Sequence, residues 1–357
     1  MTIKTDKDAG SEKKLKVAIL GSSGYVGGNL IQILINHPNV TELRTFSISK
    51  HGLPWKAVHP QLNHCQDGVF ETYSPNEAAK WADVLFLALP HGSSQVIIKH
   101  LEKINPKLII DLSADFRIHS KSLYEEYYGF DHATSLFNYT SAFKYGLADI
   151  LGSALIKAQR ISVPGCFATA TLLGLYPFTP YNLDSRSPIC FAITGSSGSG
   201  KENSPSTHHS TRANNFFAYN LGKHRHQAEI NEQLNKWTKT SSSNCTLIAH
   251  SAPLVRGIYT TICCKLSDNR KDPLDILRQV YEQRPFIKIL HRTPEITEVI
   301  GTNFAHIFAV TNNNEIIITV AIDNLIKGAA GQAVQTMNLA LEINEVTGLT
   351  FAGIHPL

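Results

Sequence analysis

The sequence has no apolar run of the ~18–20 residues that a membrane-spanning helix needs. Residues 1–14 are polar and charged and hold no apolar stretch of the secretory-leader kind, so they read as a solvated tail on a cytoplasmic protein. No Cys-x-x-Cys pair occurs among the six cysteines at 65, 166, 190, 245, 263 and 264, which reads as reduced, packed thiols rather than a disulfide framework. Internal repeats and low-complexity tracts are missing as well. Charged residues make up only 17% against 43% hydrophobic, which excludes a disordered chain. The net charge of +4 is too small for a nucleic-acid coat, so neither nucleic acid nor membrane is expected as a partner.

What is present is enough chain, 357 residues, for two domains. The first half alternates short apolar runs with helical patterns. Strands are expected at Leu15–Leu20, Leu43–Ile48, Asp83–Leu89 and Lys107–Asp111, with helices over Asn29–Asn36 and Ser94–Lys103 between them. That alternation predicts βαβ units on a parallel sheet. Beyond about residue 160 the runs lengthen and alternate, at Ile189–Thr194, Thr246–His250, Arg256–Leu266 and Glu315–Ile322. Helices over Gln227–Trp237 and Pro273–Gln283 interrupt them. This half reads as α+β with a mostly antiparallel sheet. Gly195–Asn215 has little periodicity, and a loop that long inside a compact domain points to function or disorder. A helix is expected over Ala329–Val346, stopped by Gly348.

Gly21-Ser-Ser-Gly24-Tyr-Val-Gly27 follows the first strand and opens a helix. Glycines there permit a tight turn and close backbone approach, and free helix amides can hold a pyrophosphate. Gly21, Ser23, Gly24, Tyr25, Val26 and Gly27 are therefore candidate dinucleotide contacts. An acidic residue, which would bind a ribose diol, is lacking at the end of the second strand. Phe46-Ser47-Ile48-Ser49-Lys50-His51 stands there instead. Ser47, Ser49 and the neighbouring bases suit a 2′-phosphate, so NADP is expected rather than NAD.

Cys166 follows Pro164-Gly165 and precedes a helix-like run. A helix N-terminus lowers a thiol's pKa, and a thiolate there can attack an acyl carbon. His224 and His226, in Lys223-His224-Arg225-His226, can shuttle the proton, lying on one side if the backbone is extended. A zinc cluster of His208, His209, His224 and His226 is the rival reading, but no cysteine or carboxylate ligand pattern accompanies it, so no metal is expected. A purely regulatory NADP-binding protein would have no need of Cys166 or the two histidines.

Seven motifs in order carry a resemblance. They are the glycine turn, Leu89-Pro-His-Gly92, Asp111-Leu-Ser-Ala-Asp-Phe-Arg117, Tyr145-Gly-Leu147, Pro164-Gly-Cys166, His224-Arg-His226 and Asp323-Asn-Leu-Ile-Lys-Gly-Ala-Ala-Gly-Gln-Ala333. Over about residues 15–357 the chain resembles the N-acetyl-γ-glutamyl-phosphate reductases of the semialdehyde dehydrogenase superfamily. The resemblance implies a Rossmann-type NADP domain over 15–163, completed by a C-terminal helix within 325–357. An α+β catalytic and dimerisation domain over 164–324 would supply subunit contacts in a homodimer or homotetramer. It implies NADPH-dependent reduction of N-acetyl-γ-glutamyl phosphate to the semialdehyde through a thioester on Cys166, in arginine biosynthesis. His224 or His226 would be the acid/base, Asn324 would lie near the nicotinamide half, and Arg117, Arg256 and His91 would be substrate contacts. The stretch after Gly200 is closer to branches that act on N-succinyl or carrier-linked glutamyl and aminoadipyl phosphates.

Overall fold

The computed structural model describes residues 13–129, 142–181, 183–184, 188–238, 244–266, 271–313 and 315–354. Most of the expected 1–14 tail lies outside them.

The first half builds one parallel sheet from β1 (Leu15–Leu20), α1 (Tyr25–Leu34), β2 (Val40–Ser47), α2 (Trp55–Val58), β3 (Phe70–Thr72), α3 (Pro75–Trp81), β4 (Val84–Leu87), α4 (Ser93–Ile104), β5 (Leu108–Asp111), α5 (Lys121–Tyr128), β6 (Lys144–Tyr145), α6 (Ala148–Leu155) and β7 (Arg160–Ser162). Strand order is β3-β2-β1-β4-β5-β7-β6, every pairing parallel. β4 and β5 are buried along their whole length because helices cover both faces of the sheet. The order reverses beside β1, and the crevice at the carboxyl ends of β1 and β4 is where such sheets take ligands.

The second half comprises α7 (Cys166–Leu175), β8 (Ile189–Thr194), α8 (His209–Arg212), β9 (Phe217–Tyr219), α9 (Arg225–Thr238), β10 (Thr246–Ser251), β11 (Ile258–Lys265), α10 (Pro273–Tyr281), β12 (Ile287–Ile289), β13 (Ala305–Asn312) and β14 (Glu315–Ile322). Its sheet runs β12-β13-β14-β11-β8-β10-β9. The β12–β13 and β8–β10 pairings are parallel and the other four antiparallel, as the alternating runs predicted. Side chains pointing one way from β8 and β11 bury Cys190, Ala192, Ile258 and Ile262 in a core with α7. Those pointing the other way leave Ile189 and Phe191 exposed.

α7 is buried on every side from Phe167 to Leu175, so it shows no amphipathic period. The chain then returns. One π turn (Ile326–Ala330) leads into α11 (Gly331–Ala340), and Ile326, Ala330, Ala333, Val334 and Met337 share a core with β1, α1 and β7.

Differences from the sequence reading have local causes. α1 starts at Tyr25, not Asn29, because the glycine turn ends directly in the helix. The closing helix ends at Ala340, not Val346: Leu341 leaves helical geometry and Glu342 takes φ +56°, while Gly348 serves a later turn. Gly195–Asn215 is not one loop, since it folds into short turns at Ser196–Ser199 and Pro205–Thr207 and then α8.

The return is pinned by a fully buried ion pair between Lys327 and Asp149 of α6, with Gln335 Oε1 accepting from the same ammonium at 2.9 Å. A buried pair contributes little net stability, but breaking it strands a charge. Lys327→Met should therefore destabilise the protein by about 3–5 kcal/mol, read as a lower urea midpoint. Adding Asp149→Leu should recover part of the loss.

Candidate active site

The glycine turn has the geometry of a phosphate cradle. Gly21 takes φ +81°, and a Cβ there would lie 2.4 Å from the Ala88 carbonyl oxygen. A Cβ at Gly27 would lie 2.4 Å from the Ser22 oxygen, whereas one at Gly24 would meet nothing. Gly21 and Gly27 are thus demanded by packing, and Gly24 leaves open space in front of α1. No side chain caps that helix, so its first amides remain available to an anion. Ser23, Tyr25 and Val26 line the same turn, with Tyr25 exposed. Ser47, at the end of β2, is buried; its hydroxyl donates to Ser23 Oγ at 3.0 Å and accepts from the Lys50 amide at 3.2 Å. Ser49 is exposed two residues on. These residues fit a dinucleotide.

Cys166 is the first residue of α7, at the carboxyl edge of the same parallel sheet, just past β7. It is walled on two sides. A Cβ on Gly165 would come within 2.3 Å of His226 Nε2, so the His226 ring packs directly against that glycine. A Cβ on Gly328, in the π turn, would sit 2.7 Å from Cys166 Cβ. The expected depression of the thiol pKa does not appear. Burial pushes Cys166 up to about 11, outweighing the Arg117 guanidinium and the amides of Phe167 and Cys166, which pull it down.

The histidines do not lie on an extended segment. His224 precedes α9 and His226 is inside its first turn. Their rings still meet, centroids 5.1 Å apart, and both pack edge-on against Phe167. His224 Nδ1 accepts from the His226 amide at 3.2 Å, whereas His226 Nδ1 is buried with no protein partner. Burial, followed by the charge of Arg225, lowers His224 to about 4. Burial, followed by His224, Arg117, Arg225 and His91, holds His226 well below the usual imidazole value. Both rings are neutral at neutral pH.

Arg117 is buried beneath the cysteine turn. Its Nε donates to the Val163 carbonyl at 2.7 Å and Nη2 to the Leu112 carbonyl at 2.8 Å, while Nη1 stands 3.8 Å from Glu229 Oε2. Glu229 Oε1 in turn accepts from Tyr145 Oη at 2.7 Å and from the Gly165 amide at 3.0 Å. Sequence reasoning missed Glu229, although it lies three residues after His226, on the same face of a helix. His91 accepts from the Ala114 amide through Nδ1 at 3.1 Å and packs edge-on to Tyr128. Although part of its ring reaches solvent, the protein packed around it and then the charges of Arg117 and Arg225 lower its pKa.

Arg256 and Asn324 hold structure together. Arg256 Nη1 bonds Asp323 at 3.2 Å, and its Nη2 reaches Asn29 of α1 at 3.1 Å. The guanidinium expected to anchor substrate thus bridges the two halves of the chain. Asn324 accepts from the Gly257 amide at 2.7 Å and donates to Ser197 Oγ at 3.0 Å, fixing two loops beside the π turn. Among the described residues no three His, Cys, Asp or Glu side chains converge as a metal site. All six cysteines are free, and no described helix is long and apolar enough to cross a membrane.

The chain is similar to known proteins along most of its length. Residues 16–157 match the semialdehyde dehydrogenase NAD binding domain, and residues 166–324 the dimerisation domain of the same family. The chain is 37% identical to N-acetyl-gamma-glutamyl-phosphate reductase of Wolinella succinogenes, covering 94% of this chain and 98% of that one. It is also 37% identical to LysW-L-2-aminoadipate 6-phosphate reductase of Deinococcus radiodurans, covering 97% and 99%. Aspartate semialdehyde dehydrogenase II of Vibrio cholerae shares the fold at a TM-score of 0.69 and 16% identity, over 91% of this chain and 98% of that one. With both domain matches in sequence order and relatives this similar over nearly their whole length, the chain belongs to the semialdehyde dehydrogenase family.

Proposed function

We propose that this protein reduces N-acetyl-γ-glutamyl phosphate to N-acetylglutamate 5-semialdehyde and phosphate, with NADPH as reductant and Cys166 as nucleophile. The observation that carries this reading is the position of Cys166. It opens α7 at the carboxyl edge of the dinucleotide-type sheet, between His226 and the π turn. In this reading residues 15–163 with the C-terminal segment 325–357 form the cofactor domain, and 164–324 the catalytic one. Residues 355–357 of that segment lie outside the described residues.

The pair at rest is a thiol and a neutral imidazole, given their opposed shifts. His226 takes the thiol proton as Sγ attacks the acyl carbon; phosphate leaves and a thioester remains. The amides at the start of α7 face the developing oxyanion. When bound, the nicotinamide cofactor supplies the hydride that reduces the thioester. His226 then holds the proton that is returned as the aldehyde is released. We assign this role to His226 because its Nδ1 is unpartnered, and we treat His224, whose Nδ1 is held by the helix amide, as its positioning residue. Arg117 and Glu229 hold the Gly165–Cys166 turn in place, and His91 and the exposed Arg225 remain at the rim to meet an anionic substrate.

A carrier-linked substrate is the second reading, favoured by the equal similarity to the Deinococcus enzyme. Subunit contact is proposed across the bare face of the second sheet, where Ile189 is 41% and Phe191 44% exposed.

The reverse reaction tests the main reading. With NADP and phosphate, N-acetylglutamate semialdehyde should be oxidised faster than N-succinyl or carrier-linked analogues. Inactivity on all three overturns the assignment. Cys166→Ala should lower turnover at least about a thousandfold while dinucleotide binding persists. Because the thiol is raised to about 11, alkylation by iodoacetamide should be slow at pH 7. Its rate should climb about tenfold per pH unit from pH 8 to 10; a plateau reached by pH 7 would mean a resting thiolate. Phe191→Asp should shift the mass seen by light scattering from an oligomer to a monomer.

A further inference from the structure

Lys201 is the point where the second half of the chain reaches the adenosine end of the first. It follows Gly200, which takes φ +83°, and its Nζ donates to the Val58 carbonyl at 2.8 Å, at the end of α2. The next residue, His59, sits under the glycine turn: its Nε2 lies 2.9 Å from the Ser22 carbonyl and its ring fills the space beside Gly28. An ammonium has three donors, and this hydrogen bond uses one of them.

A second cation shares the neighbourhood. Lys50 stands just past β2, its amide tied to Ser47, and Ser47 is tied to Ser23 of the turn. Burial first, and then the Lys50 charge, lower the Lys201 pKa, with Glu202 offsetting part of the effect. Two ammonium groups held near each other repel unless an anion comes between them. In a doubly wound sheet the adenosine ribose lies beyond the end of the second strand, and here no acidic side chain stands there to take a 2′-hydroxyl.

We propose that Lys201, together with Lys50, clasps the 2′-phosphate of NADP, so that a residue of the catalytic domain decides between NADP and NAD. This inference rests on the NADP reading above. It also ties the cofactor to the catalytic loop, because the turn before Lys201 contains Ser197, whose hydroxyl bonds Asn324 beside the π turn.

Equilibrium binding of NADPH and NADH, read by nicotinamide fluorescence, tests it without turnover. Wild-type protein should bind NADPH more tightly than NADH. Lys201→Met should weaken NADPH about ten- to a hundredfold and leave NADH unchanged, and Lys201→Arg should retain most of the preference. Lys50→Met should act in the same direction. The salt dependence of NADPH binding should flatten in both methionine variants. If wild type shows no preference for NADPH, the NADP reading itself fails. If wild type prefers NADPH and Lys201→Met keeps that preference, or loses both cofactors equally, the role of Lys201 is overturned while the NADP reading stands.

Discussion

The buried carboxylate of Glu229 is the contact on which the site depends. One oxygen receives both the Tyr145 hydroxyl and the Gly165 amide, and the other faces the Arg117 guanidinium. Those partners come from the end of β6, the turn before α7 and the loop after β5. Burial opposes charge on both groups, raising the Glu229 pKa, while the attraction of Glu229 keeps Arg117 protonated. Since Glu229 lies one helical turn beyond His226 in α9, the same clamp sets the ring beside Cys166. Cys166 and His226 therefore share one anchor, so a change in the clamp moves both.

Much of this was legible because backbone chemistry left marks in the sequence. The uniform apolar runs of β4 and β5 and the alternation in β8 and β11 distinguish a sheet covered on both faces from one covered on a single face. Gly21 and Gly27 were readable since no other residue fits their surroundings. The order of the motifs carries the family resemblance by itself.

Side-chain partnership was not legible. Arg117 and Arg256 look alike as arginines in motifs, yet one lies under the cysteine and the other bridges Asp323 to Asn29. The helix N-terminus was expected to acidify Cys166, but desolvation depends on how tightly Gly328 and His226 close over it, which no local pattern records. Glu229 could have been found from its spacing to His226; Tyr145 and Lys201 could not, because their contacts cross from one half of the chain to the other.

The π turn that places Gly328 against Cys166 also has a consequence in time. The first sheet is complete by Ser162, but its core stays open until Ile326, Ala330, Ala333 and Met337 arrive. A ribosome makes those residues only after every strand of both sheets. The wall that encloses the thiol and the helix that seals the cofactor sheet are thus the same late segment. A nascent chain cut short before it has neither a closed core under the first sheet nor a wall beside Cys166, so both arrive together with one segment.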